Sequence, residues 1–152
     1  MKDKKLERKI YQSLKEKLEK TNIYEKLKQF SNTPREERKV RQKLNEDIEK
    51  ILVKGTRKVL LELVGDENKI AESSPIWINE YASLTDVNYV FEYNSKYYEV
   101  GIVLLSQDIV VKIWEAGEFW FKMCLYCEGK LTKEEYEEAE RKYREEIKAN
   151  LL

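Results

Sequence analysis

The apolar residues of this chain change their spacing about halfway along it. In the first 64 residues they recur every third or fourth position, as in Leu6, Ile10, Leu14 and Leu18, which places them on one face of a helix. From residue 75 onward they alternate with polar residues, which is the pattern of a strand with one buried face. The chain of 152 residues is therefore predicted to be a single α+β domain.

Residues 1–30 are expected to form an amphipathic helical arm. The apolar stripe is interrupted at Thr21 and Asn22 and resumes at Ile23 with a shifted phase. Two alternatives follow: one kinked helix, or two helices with a cap at Thr21. Such a helix can fold back on the domain or be offered to a partner, so a homodimer joined through the N-terminal helices is one expectation.

A long basic helix is predicted over residues 34–64. Thr33 is placed as its N-cap, Pro34 occupies the first helical position, and Gly65 marks the end. The helix would be about 45 Å long at a rise of about 1.5 Å per residue. A mid-helix glycine costs about 1 kcal/mol, so Gly55, which precedes a threonine able to cap a new helix, is the point where it could break.

An antiparallel meander is predicted over residues 75–116, and a helical hairpin over residues 118–150. Short connections make successive strands antiparallel neighbours, and one face of such a sheet is expected to be covered by helices. In the hairpin, Thr132 and Glu135 have the spacing of a capping box. The four predicted strands are 76–81, 87–93, 96–105 and 109–115.

The central strand pair is predicted to turn at residues 94–95, which pairs Tyr93 with Lys96. Counting outward from this turn assigns every side chain to one of two faces, because successive residues of a strand alternate. The acids Glu92 and Glu99 share one face. The other face is apolar and is expected to meet the helices: Val87, Tyr89, Phe91, Tyr98, Val100 and Ile102.

Residues 86–103 resemble the metal-binding hairpin of the PD-(D/E)xK nucleases, in which an Asp begins one strand and a (D/E)-x-K triplet lies on the next. Here Gly101 stands where that triplet, beginning at Glu99, requires lysine. The predicted register also sets Asp86 opposite Val103, about 13 Å along the strand from Glu99. That distance is too long for one shared ion.

The acids that the register does bring together are Glu92 and its diagonal neighbour Glu99, about 7 Å apart along the backbone. Glu80, on the preceding predicted strand, could join them. Under one alternative these three are the catalytic carboxylates of a small nuclease or phosphodiesterase that depends on Mg²⁺ or Mn²⁺. Under the other they are the solvated face of a half-exposed sheet, and no cofactor is needed.

Several chemistries are excluded by composition. The chain contains no histidine, which removes Ser-His-Asp and Cys-His catalysis, and it has neither GxxxxGK[ST] nor GxGxxG. Cys124 and Cys127 have CxxC spacing but are too few for a structural zinc site within one chain, so they are predicted to be core residues. No apolar run approaches the roughly 18 residues that span a bilayer, so a soluble, intracellular protein is expected.

The charge is unevenly placed along the chain. Residues 1–58 carry a net charge of +9 and residues 59–152 a net charge of −9, while Lys- and Glu-rich composition with few Gly and Pro resembles that of proteins from heat-loving organisms. The basic half is expected to bind nucleic acid or an acidic protein surface, unless the two halves neutralise each other. The candidate nucleic-acid-binding residues are Arg35, Arg38, Lys39, Arg41, Lys43, Lys50, Lys54, Arg57 and Lys58.

Three functions are therefore kept open. The first is a non-catalytic binding protein whose basic helices engage nucleic acid or an acidic surface, since no catalytic motif accompanies the charges. The second is the metal-dependent nuclease described above. The third is a structural or inhibitory interaction module that acts through the N-terminal helix.

Overall fold

The computed structural model of the chain describes residues 3–73, 86–105 and 108–151. This part of the chain contains five α-helices and a four-stranded antiparallel sheet, which confirms the α+β prediction. A short 3₁₀ turn, Glu67–Lys69, precedes the first strand. The elements are α1 (Lys4–Glu19), α2 (Ile23–Asn32), α3 (Arg38–Val64), β1 (Ile70–Glu72), β2 (Asp86–Tyr93), β3 (Lys96–Leu104), β4 (Ile109–Glu115), α4 (Glu118–Cys127) and α5 (Lys133–Leu151).

The sheet is a meander in the order β1-β2-β3-β4, and its central register is the predicted one. Tyr93 pairs with Lys96, and Asp86 pairs with Val103. Asn94 and Ser95 adopt φ angles of 52° and 62°, the left-handed conformation that a tight two-residue hairpin turn requires. The turn therefore sets the register as the sequence predicted.

The first strand of the sheet differs from the prediction. Residues 70–72 form β1, with Ile70 paired to Phe91 of β2. Three residues are too few to show an alternating pattern in the sequence, so this strand was missed. The predicted strand 76–81 lies outside the described residues.

The first face of the sheet packs on α1 and α3 in a single apolar core. All six residues predicted for this face are buried there, including Tyr89 and Phe91. The stripe of α1, which runs from Leu6 to Leu18, is buried in the same core, so α1 is folded back on the domain. A homodimer through these helices stays a prediction, and it would have to use their polar surface.

The second face of the sheet is also partly covered, although only one covered face was expected. Val90 of β2 and Ala71 of β1 pack against Phe121, Cys124 and Leu125 of α4. The sheet is therefore sandwiched between α1 and α3 on one side and α4 on the other. The sequence indicated a buried helix after the sheet but did not indicate which face it covers.

Two helix boundaries differ from the prediction. Thr33 ends α2, since its hydroxyl donates to the Gln29 carbonyl at 2.7 Å, and it does not cap the next helix. Pro34 and Glu37 then close a turn through a backbone hydrogen bond of 3.0 Å, so α3 begins only at Arg38. A threonine hydroxyl can serve either helix end, and the sequence pattern did not distinguish the two.

The break between α1 and α2 follows the two-helix alternative. Thr21 lies in the break, where its hydroxyl donates to the Leu18 carbonyl at 2.6 Å and accepts from the Ile23 amide at 3.3 Å. The N-cap residue of α2 is Asn22 and not Thr21, which was the predicted cap. At the other end of the chain, Thr132 and Glu135 form the predicted capping box. Within the described ranges, every helix is too short or too polar to span a bilayer.

Candidate anion-binding groove

Helix α1 crosses α3 at Gly55. A Cβ atom at this position would lie 3.3 Å from Leu14 Cδ1 and 3.4 Å from Leu18 Cδ2, so the missing side chain lets the two helices approach closely. Helix α3 continues through the glycine, and the break expected there is absent. Packing against α1 offsets the roughly 1 kcal/mol that a mid-helix glycine costs.

A cavity of about 570 Å³ opens where the end of α1 meets α3. Four of its lining residues are lysines: Lys17 and Lys20 from the end of α1, and Lys54 and Lys58 from α3. We call this cavity the cationic groove. Its other lining residues are Leu18, Thr21, Asn22, Ile51 and Gly55.

Most of the positive charge in the cationic groove is unpaired. Lys17 forms an ion pair with Glu62, with Nζ 2.9 Å from Oε1. Lys20, Lys54 and Lys58 are exposed and form no ion pair with any described residue. Three ammonium groups are therefore available to a negatively charged ligand in one cavity.

Two helix ends meet at the groove. Thr21 and Asn22, at the N-terminal end of α2, line it, and so do Lys17, Leu18 and Lys20, at the C-terminal end of α1. A helix N-terminus carries roughly half a positive charge and a C-terminus roughly half a negative charge. The two dipole ends therefore offset each other, and the lysines supply the positive potential of the groove.

Three of the nine predicted nucleic-acid-binding residues have other partners. Arg41 Nη1 donates to the carbonyls of Phe30 and Thr33, at 3.0 and 2.7 Å, and its guanidinium stacks on the Phe30 ring. Lys43 forms an ion pair of 3.2 Å with Asp47, and its hydrogen bond holds the pKa of that carboxyl below its usual value. Arg41 therefore connects α3 to the end of α2, and Lys43 forms an ion pair within α3.

Arg57 is the third, and it faces the sheet. Its Nε donates to the Tyr89 hydroxyl at 3.2 Å, and its Nη2 lies 3.1 Å from Glu128 Oε1. Burial disfavours the charge of Arg57, but the hydrogen bond to Tyr89 and the charge of Glu128 raise its pKa overall. This guanidinium is part of the packing between α3, the sheet and the C-terminal hairpin.

The other six predicted cations are exposed. Lys54 and Lys58 line the cationic groove, and Lys50 lies one turn before them on the same helix. Arg35, Arg38 and Lys39 lie at the opposite end, around the start of α3. The structure thus divides the predicted basic surface into a groove and a separate terminal cluster.

Lys17 and Lys20 were missed by the sequence prediction. The available signal was Gly55, a residue without a side chain flanked by Lys54 and by Lys58 one turn later. A glycine inside a helix marks a close approach of another segment as often as a break. The sequence did not indicate which helix makes that approach.

The acidic half of the chain leaves the cationic groove open. In the described part of the chain, three ion pairs join residues 1–58 to residues 59–152: Lys15–Asp108, Lys17–Glu62 and Arg57–Glu128. Only the pair of Lys17 lies at the groove. The acidic hairpin of α4 and α5 packs through α4 on the sheet face opposite α1 and α3.

The predicted carboxylates of the sheet have separate partners. Glu92 Oε2 lies 3.5 Å from Lys69 Nζ, and Glu99 Oε1 accepts from the Trp114 indole N–H at 3.0 Å. Glu80 lies outside the described residues. Among those that are described, no three Asp, Glu, Cys or His side chains form a group able to hold a metal ion. The Mg²⁺ or Mn²⁺ nuclease alternative therefore stays a prediction.

The two cysteines of α4 have different environments. Cys124 is buried, as predicted, and burial raises the pKa of its thiol to about 12. Cys127 is exposed, so its assignment to the core was wrong. Residues three apart on a helix diverge by about 60°, which is enough to separate them at the edge of a covered face.

Comparison of this chain with protein-family models, with curated proteins and with solved structures found no match. A function has to be inferred from the chain's own residues and their geometry. The cationic groove is the feature with the clearest chemical preference, because its three unpaired ammonium groups favour anions.

Proposed function

We propose that this protein binds nucleic acid through the cationic groove and catalyses no reaction on it. The observation that carries the proposal is the presence of unpaired, exposed Lys20, Lys54 and Lys58 in one cavity. A nucleic-acid backbone is a regular row of phosphates, and neutralising them with lysines releases condensed counterions. That release is the main source of affinity in binding without sequence preference.

The lining of the groove favours nucleic acid over an acidic protein surface. Protein interfaces obtain most of their affinity from a few aromatic or arginine anchors in desolvated pockets. The groove supplies lysines instead, and the described part of the chain adds Leu18, which is buried, and Ile51, which is half-buried, as its apolar lining. Lysine binds phosphate as a point charge on a flexible stem.

The groove also predicts weak sequence preference. Base edges are read by side chains with fixed paired donors or acceptors, above all arginine, asparagine and glutamine. Among the described residues that line the groove, Asn22 is the only one of these three types. Backbone contacts position a nucleic acid without reading it. Oligonucleotides of equal length and different sequence should therefore bind with similar affinity.

The proposal is tested by reversing charge inside and outside the groove. The double variant Lys54→Glu/Lys58→Glu should weaken binding of a labelled single-stranded oligonucleotide at least about tenfold at low salt. The control is Lys112→Glu, an exposed lysine of β4 that lies outside the groove. Equal affinity of the double variant and the wild type would refute the proposal. Competition by polyglutamate as strong as that by the oligonucleotide would favour an acidic protein instead.

Catalysis is tested in the same assay. With Mg²⁺ or Mn²⁺ added, the bound oligonucleotide is expected to stay intact. Cleavage that requires the metal and is lost in Glu99→Gln would support the nuclease alternative based on Glu92, Glu99 and Glu80. Cleavage that survives Glu99→Gln would contradict both the non-catalytic proposal and the assignment of Glu99 as a catalytic carboxylate.

A further inference from the structure

A second cavity with lysines in its wall lies beside α3, nearer the start of that helix than the cationic groove. Its volume is about 570 Å³, and we call it the seam cavity because α2 packs against α3 there. One of its lysines, Lys39, is exposed and forms no ion pair with any described residue. The residues that line the seam cavity are Gln29, Thr33, Lys39, Val40, Lys43 and Leu44.

The cationic groove and the seam cavity lie on the same side of α3. Helix α2 runs beside both, because its N-cap residue Asn22 lines the groove and Gln29 lines the seam cavity. Lys39 and Lys58, the outermost lysines of the two cavities, are separated by about 28 Å along α3 at a rise of about 1.5 Å per residue. Residues spaced by three or four positions share one face of a helix, and such a row connects the cavities. The row consists of Val40, Lys43, Asp47, Ile51, Lys54 and Lys58.

Asp47 lies between the two cavities, and its negative charge is offset by two lysines. Its Oδ1 lies 3.2 Å from Lys43 Nζ, and its Oδ2 lies 3.4 Å from Lys26 Nζ on α2. The three side chains together carry a net charge of +1. Positive charge therefore continues from one cavity to the next. The other acids of α2 and α3 line neither cavity: Glu25, Glu46, Glu49 and Glu62.

We propose that a single-stranded nucleic acid lies along this row, with its phosphates at the lysines of both cavities. The proposal rests on the function proposed above and extends its site from the cationic groove to the seam cavity. A span of about 28 Å predicts a site size in the lower part of the range of about 4–16 nucleotides that single-strand-binding grooves cover.

The cavities favour a single strand over a duplex. Each has a volume of about 570 Å³, within the range of roughly 300–1,000 Å³ that holds one small organic group. A nucleotide can enter such a cavity, whereas a double helix, in which the major groove alone is about 12 Å wide, is too large. In the seam cavity, Val40 is 49% exposed and Leu44 is half-buried. A base can cover this apolar surface while its phosphate contacts Lys39.

The first experiment compares single-stranded oligonucleotides of about four and about ten nucleotides, by fluorescence anisotropy at low salt. The short one is expected to occupy the cationic groove, where three unpaired lysines attract it, and the long one to reach both cavities. Lys39→Glu should weaken binding of the long oligonucleotide about fivefold and leave binding of the short one unchanged. In the wild type, the contact with Lys39 should also make the salt slope of the long one steeper by about 0.7 than that of the short one.

The matched control is Lys28→Glu, which makes the same change at an exposed lysine of α2 that lines neither cavity. Its affinity for both oligonucleotides should stay within about twofold of the wild type. Lys39 is the second residue of α3, where a glutamate favours the helix dipole, so Lys39→Glu should keep the fold. Circular dichroism checks this.

The results separate this inference from the proposed function. Equal effects of Lys39→Glu and Lys28→Glu on the long oligonucleotide would overturn the extension into the seam cavity and leave the cationic groove as the whole site. Equal weakening of the long and the short oligonucleotide by Lys39→Glu would do the same. A wild type that binds neither oligonucleotide would overturn the proposed function as well. A duplex of the same length that binds as tightly as the long single strand would refute the preference for a single strand.

The second experiment removes the acid between the cavities. Asp47→Asn should strengthen binding of the long oligonucleotide about threefold, because Lys26 and Lys43 then become available to phosphates. Glu46→Gln makes the same change of charge at an exposed position of α3 that lines neither cavity, and it should leave the affinity unchanged. An equal gain in the two variants would show that only the overall charge matters, and would overturn the proposed path along α3.

Discussion

Arg57 Nη2 lies 3.1 Å from Glu128 Oε1 and so connects α3 to the end of α4. The same carboxylate accepts from the Glu72 amide of β1 at 2.8 Å and lies 3.0 Å from Lys130 Nζ. One acid therefore joins a helix on the first face of the sheet, an edge strand and the helical hairpin on the second face. This relationship occupies the Arg57 guanidinium with partners from the chain itself, although the side chain stays partly exposed.

Replacing Glu128 with glutamine should destabilise the fold. The change keeps the shape and one acceptor for the Glu72 amide but removes the charge that Arg57 and Lys130 pair with. We expect the free energy of unfolding at neutral pH to fall by about 1–2 kcal/mol, the lower part of the range for charged hydrogen bonds, because Arg57 is partly exposed. Urea denaturation measures this value. No change would mean that the charge pairs with Arg57 and Lys130 contribute nothing.

The effect of Glu128 should depend on pH. Burial acts to raise the pKa of Glu128, but the hydrogen bonds from the Glu72 amide and Lys130 outweigh it and lower that pKa below the ordinary value of 4.5. A lowered pKa in the folded state stabilises the protein above the unfolded pKa, and this stabilisation is lost as the pH falls through the folded pKa. The difference in stability between wild type and Glu128→Gln should therefore narrow below pH 4.5. A difference that widens there would contradict this assignment.

Arg41 is predicted to matter for stability and not for ligand binding. Lysine at this position cannot donate to both the Phe30 and Thr33 carbonyls in the same planar arrangement. We expect Arg41→Lys to lower the free energy of unfolding by about 1–2 kcal/mol. Arg41→Gln removes the charge that lysine keeps, and its affinity for an oligonucleotide should stay within about twofold of the wild type. Lys39→Ala, at an exposed position of the same helix, is the stability control; a larger loss of affinity in Arg41→Gln would return Arg41 to the binding surface.

A large side chain at Gly55 should separate α1 from α3. The side chains of Leu14 and Leu18 lie so close to Gly55 that they leave little room for even one added carbon. Gly55→Leu is expected to cost about 1–3 kcal/mol through overpacking, even though leucine is the better helix former. Lys50→Leu, on an exposed part of the same helix, controls for the change in helix propensity. Equal stability of the two variants would show that the helices do not meet closely at Gly55.

The two thiols should differ in reactivity. Alkylation of the folded protein at neutral pH should modify Cys127 and spare Cys124, because Cys124 is buried and burial raises the pKa of its thiol to about 12. Both should react in denaturant. Mass spectrometry of the modified chain distinguishes these states, and rapid modification of Cys124 in the folded protein would contradict its burial between α4 and the sheet.

The sequence predicted the part of the fold that local chemistry determines. The register around Asn94 and Ser95 could be predicted because a two-residue turn and strict alternation leave one pairing. The start of α3 could not be predicted in this way, because the Thr33 hydroxyl forms its hydrogen bond at the end of α2 and does not cap α3. The strand β1 was missed because its three residues carry no periodic signal.

The candidate site was predicted only in part, because its lysines come from two helices that meet only in the folded chain. Lys54 and Lys58 were recognised from the charge of one helix. Their neighbours Lys17 and Lys20 come from a different helix, and Gly55, which lets that helix approach, was interpreted as a break. Arg41 and Arg57 were assigned to ligand binding because charge alone does not reveal a guanidinium's partners.

The salt dependence of binding tests the central claim most directly. With Lys20, Lys54 and Lys58 in contact with phosphates, the slope of log affinity against log salt for a single-stranded oligonucleotide should be about −2, at roughly −0.7 per neutralised phosphate. The variant Lys54→Gln/Lys58→Gln should flatten that slope by about 1.4. Lys112→Gln should leave it unchanged. A slope near zero in the wild type, or equal slopes in the wild type and the groove variant, would contradict nucleic-acid binding through the cationic groove.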